Sequence, residues 1–218
     1  MDYEYIWAHI PHFYRALKIT LELSFWAILG SFFWGLCCAL ILYYRLWGQK
    51  IIQFYIELSR NTPLLIQLFF LYYGLPKIGI KWDGYTCSLI ALIFLGGSYM
   101  AEALRAGLNQ IQKSQIESAL ALGLNGRQIL LKIIFPQAGL IALPALIANV
   151  LFLIKETSVV SAVSVAELLF VTRELISLDY LTNEALFLLF LSYLVVLLPL
   201  VLLAKIIEKR MRSVQYGI

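Results

Sequence analysis

The stretch ALFLLFLSYLVVLLPLVLLA at 185–204 runs for twenty residues without a charge, and comparable apolar runs recur along the chain. Crossing a hydrocarbon core takes about 20 apolar residues in helical form. The runs are continuous rather than alternating, so they predict helices and not strands. They fall at roughly 19–43, 55–76, 85–104, 138–157 and 184–206, giving about five transmembrane helices. A further run, SVVSAVSVAELLFV at 158–171, is too short to cross alone and fits a re-entrant or interfacial helix. The predicted fold class is all-α: a polytopic membrane protein made of a single transmembrane domain, 1–218. Composition agrees. The chain is 61% hydrophobic and 14% charged, whereas a soluble domain carries about 25% charge. Most of its surface therefore meets lipid.

Five crossings put the two termini on opposite sides. Eleven basic residues fall on one side: Arg45, Lys50, Arg60, Arg105, Lys113, Arg127, Lys132, Lys205, Lys209, Arg210 and Arg212. Five fall on the other: Arg15, Lys18, Lys77, Lys81 and Arg173. The richer side is cytoplasmic by the positive-inside rule, so the N-terminus is outside and the C-terminus inside. The net charge of +4 is spent on this asymmetry, which argues against a nucleic-acid partner. Glu167, Glu174, Asp179 and Glu184 make the last outer loop acidic. Cys37, Cys38 and Cys87 have no metal-type spacing and read as small buried apolar residues. His9 and His12 flank Pro11 without a third ligand and read as interfacial histidines.

The polar segment SQIESALALGLNGRQILLKIIFPQ, from Ser114 to Gln137, interrupts this pattern on the inner side. Ser114 with Glu117 fits a capping box that opens a short helix. Gly123 stands where a left-handed residue ends it, and Asn125 with Gln128 caps the next one. The small Ala119 and Ala121 leave room for a partner to approach. From these residues alone the helix is either a docking knob or an amphipathic helix lying on the bilayer.

Glu117-Ser118-Ala119, Gly123 and Ile133-Ile134-Phe135-Pro136 resemble the EAA motif of ATP-binding-cassette (ABC) importer permeases, within a loop spanning about 105–137. YMAEALRAGLNQIQKSQ before it, PQAGLIALPALIANVLFLIKETSVVSAVSVAELL after it, and SRNTPLLIQLFFLYYGLP at 59–76 are similar to the polar amino acid permeases of that superfamily. Ser118, Ser114, Gln112, Phe135 and Asn61 depart from the usual residues. The resemblance implies a type I importer permease fold in a bacterial inner membrane. It implies a second permease copy, either identical or related, cytoplasmic ABC ATPase subunits, an extracytoplasmic solute-binding protein and an amino acid substrate. Glu117, Ser118, Ala119, Leu120, Ala121, Gly123 and Arg127 then form the coupling surface, with Glu117 either pairing with a basic ATPase residue or capping its own helix. No cofactor is expected in this chain, which lacks a phosphate-cradling Gly-x-x-x-x-Gly-Lys-Ser/Thr loop. ATP and Mg would sit on the partner ATPase.

Ionisable groups within spans mark functional sites by default. Lys155, Glu156, Thr157 and Ser158, with Asn149 upstream, follow the fourth apolar run. If the helix breaks there, they line a substrate pathway. Otherwise Lys155 and Glu156 snorkel to the outer surface. Gln67, one turn beyond Pro63, either faces the pathway or makes an interhelical hydrogen bond. Two other classes fit the sequence less well. A membrane-embedded hydrolase would need a nucleophile–base pair or metal cluster at depth, but no predicted span holds a histidine. An autonomous secondary transporter would show paired repeats, and none is visible.

Overall fold

A computed structural model describes the backbone of residues 2–216 and the side chains through Met211. The side chain of Arg212, counted above on the inner side, lies outside the described residues. All regular structure among the described residues is helical. In chain order the helices are α1 (Tyr3–Tyr43), α2 (Gln49–Arg60), α3 (Leu64–Phe69), α4 (Gly84–Asn109), α5 (Lys113–Ala121), α6 (Gly126–Ile129), α7 (Phe135–Glu156), α8 (Leu168–Asp179) and α9 (Thr182–Tyr216). A wide π turn, Leu130–Ile134, joins α6 to α7, and a tight 3-10 segment, Thr157–Val163, continues α7.

Four stretches are long and apolar enough to cross a membrane: Tyr3–Tyr43, Gly84–Asn109, Gly126–Val163 and Thr182–Met211. They coincide with the first, third, fourth and fifth expected crossings. The second expected crossing is divided. Helix α2 stops at Arg60, and a shorter apolar run, Leu64–Ile78, follows. Pro63 causes the division, because its ring pushes the preceding residue out of helical geometry and it brings no N–H of its own. Its backbone is extended, at φ −62 and ψ 141.

Helices α1 and α4 share the largest interface. Ala27, Ser31, Gly35 and Ala39 recur every fourth residue on α1, and all four are buried. That ridge of small side chains lets the two backbones approach closely. A Cβ at Gly35 would stand 2.6 Å from Met100 Cβ and 2.9 Å from the backbone of Gly97 and Ala101. Ser31 donates a hydrogen bond across the seam to the Leu92 carbonyl at 3.4 Å. Helix α2 is tied to the same helix: Ser59 Oγ donates to the Phe94 carbonyl at 3.0 Å and Tyr55 to the same oxygen at 2.6 Å. Cys38 and Cys87 are buried as expected, but Cys37 is exposed on the outside of α1.

With 41 residues, α1 is about 60 Å long, twice a hydrocarbon core. Its first turns build a platform with α8 and the start of α9, where Ile6, Phe13, Ala16, Leu168, Leu175 and Leu188 form one cluster. The acids read as an outer charged loop divide here. Glu174 and Asp179 are exposed. Glu184 is buried and accepts the Asp2 N–H at 3.0 Å, and Glu167 is fully buried. The platform needs acceptors for backbone N–H groups, and these two carboxylates supply them.

Candidate functional site

Helix α5 forms the corner between α4 and α7. It opens two residues before the expected position. Gln112 is the N-cap with extended backbone, and no side chain caps the helix. Ser114 is thus already inside the first turn, and its hydroxyl meets Gln112 Oε1 at 3.4 Å instead. The proposed Ser114–Glu117 box does not form. The other end follows the sequence closely. Gly123 adopts the left-handed conformation at φ 78. The Gly123 N–H donates to the Leu120 carbonyl at 2.9 Å and the Leu124 N–H to the Ala119 carbonyl at 3.1 Å. This paired pattern closes a helix on a glycine with no side-chain help. Asn125 and Gln128 then form a reciprocal capping box, both bonds at 2.9 Å.

The two alanines of α5 face opposite ways. Ala119 is only 2% exposed and packs with Leu104, Leu108, Ile129 and Ala138. Its small size lets α5 lie against its own chain rather than against a partner. Glu117, Ser118, Leu120, Ala121, Gly123 and Arg127 are all exposed. Leu122, missed by the sequence reading, is the most exposed apolar side chain of the corner, at 82%. A bare leucine beside a glycine turn is the signal that could have found it.

The polar residues placed on a pathway are only partly brought together. Gln67 stitches the α2–α3 break. Its Nε2 donates to the Ser59 carbonyl at 2.9 Å, the Thr62 carbonyl at 3.1 Å and Thr62 Oγ1 at 2.8 Å. It thereby satisfies carbonyls freed by Pro63, while its own Oε1 is buried without a partner. At the other place the chain tightens rather than unwinds. Thr157 is buried and donates back to the Ile154 carbonyl at 2.7 Å, and Ser158 donates to the Lys155 carbonyl at 2.9 Å. Lys155 is exposed, whereas Glu156 is half-buried. Asn149 lies seven residues before Glu156 in the same helix, which puts those two on one face and Lys155 on another. Helix α3 packs against the 3-10 segment, so the Gln67 and Thr157–Val163 regions are neighbours.

Beyond these lies Glu167, the N-cap of α8. Its Oε1 accepts the Phe170 N–H at 2.8 Å while Oε2 is buried and unpartnered. Burial pushes its carboxyl up to about 7, against the pull of the Leu169 and Phe170 amides. A charged cluster not expected from the sequence lies between α2 and α4. Glu102 Oε2 stands 3.1 Å from Arg60 Nη1, and Glu102 Oε1 accepts from Arg105 Nη2 at 2.8 Å and Nε at 3.1 Å. The signal was present: Glu102 falls inside an expected span, three residues before Arg105. Among the described residues no group of three metal-ligating side chains occurs. His9 instead packs on Tyr5 and stands 3.8 Å from Asp179.

An all-helical bundle with four apolar stretches long enough to cross a membrane, and a short helix closed by a glycine turn at a loop corner, fits a membrane transport component. Comparison with known proteins is specific on the point. The chain belongs to the family of binding-protein-dependent transport system inner membrane components, whose sequence model matches residues 27–213. It is 35% identical over 172 residues, 77% of each chain, to a probable amino-acid ABC transporter permease of Vibrio harveyi. It is 34% identical over 198 residues to a probable glutamine ABC transporter permease of Bacillus subtilis, covering 89% of this chain and 90% of that one. A solved amino acid ABC transporter matches with a TM-score of 0.87 at 30% identity, over 96% of this chain and 99% of its own. An inward-facing methionine ABC transporter, 19% identical with a TM-score of 0.78, shares the fold over 97% and 99% of the two chains. The chain is therefore a membrane transport component and not itself an enzyme.

Proposed function

We propose that the chain is the permease subunit of an importer for polar amino acids, driven by ATP hydrolysis on cytoplasmic ABC ATPase subunits. It pairs with a second permease copy and receives cargo from an extracytoplasmic solute-binding protein. It sits in the bacterial cytoplasmic membrane with its N-terminus outside. The observation that carries this reading is the α5 corner. Ala119 anchors the helix to the bundle, and Gly123 and Asn125 fix both its end and the next start. Glu117, Ser118, Leu120, Ala121 and Arg127 are left exposed for an ATPase groove. A rigidly seated helix transmits a push to α4 and α7, whereas a loosely attached loop would absorb it. Relatives named for amino acids, among them glutamine and arginine, support the cargo class.

Cargo would move past Gln67, Asn149, Glu156 and Ser158, with Lys155 at the exposed edge and the buried Thr157 shaping the backbone rather than touching it. No cofactor is assigned to this chain. The test is reconstitution in proteoliposomes with the ATPase and binding protein. Uptake of an amino acid that requires both partners and ATP is the expected result. ATP-independent uptake by the chain alone would overturn it in favour of an autonomous transporter.

A further inference from the structure

The Arg60–Glu102–Arg105 cluster has no part in the pathway just described. It lines a cavity of about 590 Å³ with Glu57, Asn61 and Tyr99. Arg60 is the last residue of α2, and Glu102 lies seven residues before the end of α4 at Asn109. The cluster is thus roughly 10 Å in from the cytoplasmic end of α4. Glu102 lies within a helix long and apolar enough to cross a membrane, where a charge marks a candidate site.

A latch between α2 and α4 needs one cation and one anion. Here two guanidinia share a single carboxylate, through Arg60 Nη1 at 3.1 Å and Arg105 Nη2 at 2.8 Å. The triad itself is one positive charge in excess, and Glu57 brings the cavity lining to neutral. A guanidinium also carries more donors than these contacts use, in a planar fork suited to a second carboxylate. The Arg60 and Arg105 side chains are 39% and 40% exposed, so their free edges meet the cavity rather than packed protein. The Arg60 guanidinium also stands over the Tyr99 ring at 5.3 Å, which limits its freedom. Glu57, on the same wall, offers a negative charge for an ammonium group.

From this we infer that the cavity is a cytoplasmic-side binding station for the α-carboxylate of an amino acid, occupied as cargo leaves the permease. The inference rests on the amino acid reading above. Its place predicts product inhibition: amino acid inside the vesicle holds the station and slows further uptake.

The experiment uses the whole complex in proteoliposomes loaded with L-glutamine or L-arginine, whichever is carried, or with the corresponding amide, which has no carboxylate. In the wild type, the luminal acid should slow uptake and the amide should not. Arg105→Gln leaves Arg60 and Glu102 as a neutral pair and should raise the half-inhibiting luminal concentration about tenfold, the scale of one charge-assisted contact. Arg105→Lys keeps the charge without the fork and should shift it by less. It carries the test if the glutamine variant fails to assemble. Thermal shift of the purified complex with acid against amide gives a readout independent of transport. Equal effects of acid and amide, no luminal inhibition in the wild type, or an unchanged midpoint in both Arg105 variants would each overturn the station. A complex that carries no amino acid but is stabilised by the acid alone would overturn the import reading and leave the station standing.

Discussion

The corner at Gly123 and the corner at Ser164 both turn the chain through a left-handed residue, at φ 78 and φ 59. They are built in opposite ways. At Gly123 the turn is made by backbone bonds alone, and a Cβ there would meet open space. At Ser164 a residue with a side chain accepts the unfavourable conformation, held there by buried Val160, Val163, Val165, Glu167 and Leu168. The Gly123 corner leaves its side chains exposed, as the proposed ATPase docking requires. The outer corner spends its side chains on itself. A loop that must be grasped is best closed by backbone chemistry, and a loop that must stay still is best closed by packing.

The largest break in this comparison is expected from Gly123→Val. A β-branched residue in the left-handed region costs about 1–2 kcal/mol, and nothing around the inner corner compensates for it. ATP-driven uptake should fall at least about tenfold while membrane insertion, read by protease accessibility, stays normal. Uptake within twofold of wild type would remove the corner from the mechanism.

Glu167→Gln sharpens the outer half. The Glu167 carboxyl is raised to about 7 in the folded chain from an ordinary 4.5. The folded state therefore holds this proton more tightly than the unfolded one. Its contribution is complete below about pH 4.5 and is lost as pH rises through about 7. Thermal stability of the purified wild type should decline across that window. The glutamine variant, neutral at every pH, should show a flatter profile and exceed the wild type at pH 8. A superimposable pair of profiles would mean the carboxylate is not buried as described.

Asn125→Ala removes half of a capping box and should cost about 1 kcal/mol locally. Trypsin should cleave at Arg127 several-fold faster, with uptake reduced less than by the glycine change. The smallest effect belongs to Ser164→Gly. It relieves the left-handed strain but frees the unfolded chain, so the two nearly cancel and the melting temperature should move by no more than about 2 °C.

What the sequence made legible follows the same division. Gly123, Asn125 and Gln128 act on backbone within a few residues of themselves, and their roles could be read from spacing. Ser114 is not the cap: the N-cap of α5 is Gln112, directly after Ile111, which is buried against the bundle, and such packing leaves no local mark. Ala119 and Ala121 look alike in sequence and face opposite ways for the same reason. Gln67 and Thr157 are polar groups in apolar runs, but Gln67 bonds across the α2–α3 break and Thr157 back to its own helix. Polarity at depth identified where the helices depart from regularity. It did not distinguish a group that serves the backbone from one that serves cargo. Glu167 carried a readable hint, an acid just ahead of an apolar helical run, which suits an N-cap as well as an acidic loop.

The seam of α1, with Ala27, Ser31, Gly35 and Ala39, is cut to fit α4, whose last residue is Asn109. During synthesis the first helix is complete some sixty residues before its mate, a delay of several seconds at ribosomal speed. Through that interval it stands alone among lipids. Small-residue ridges are what lipid-embedded helices associate through, so the seam stays open to other partners until α4 arrives, and its serine can turn back to its own carbonyl in the meantime.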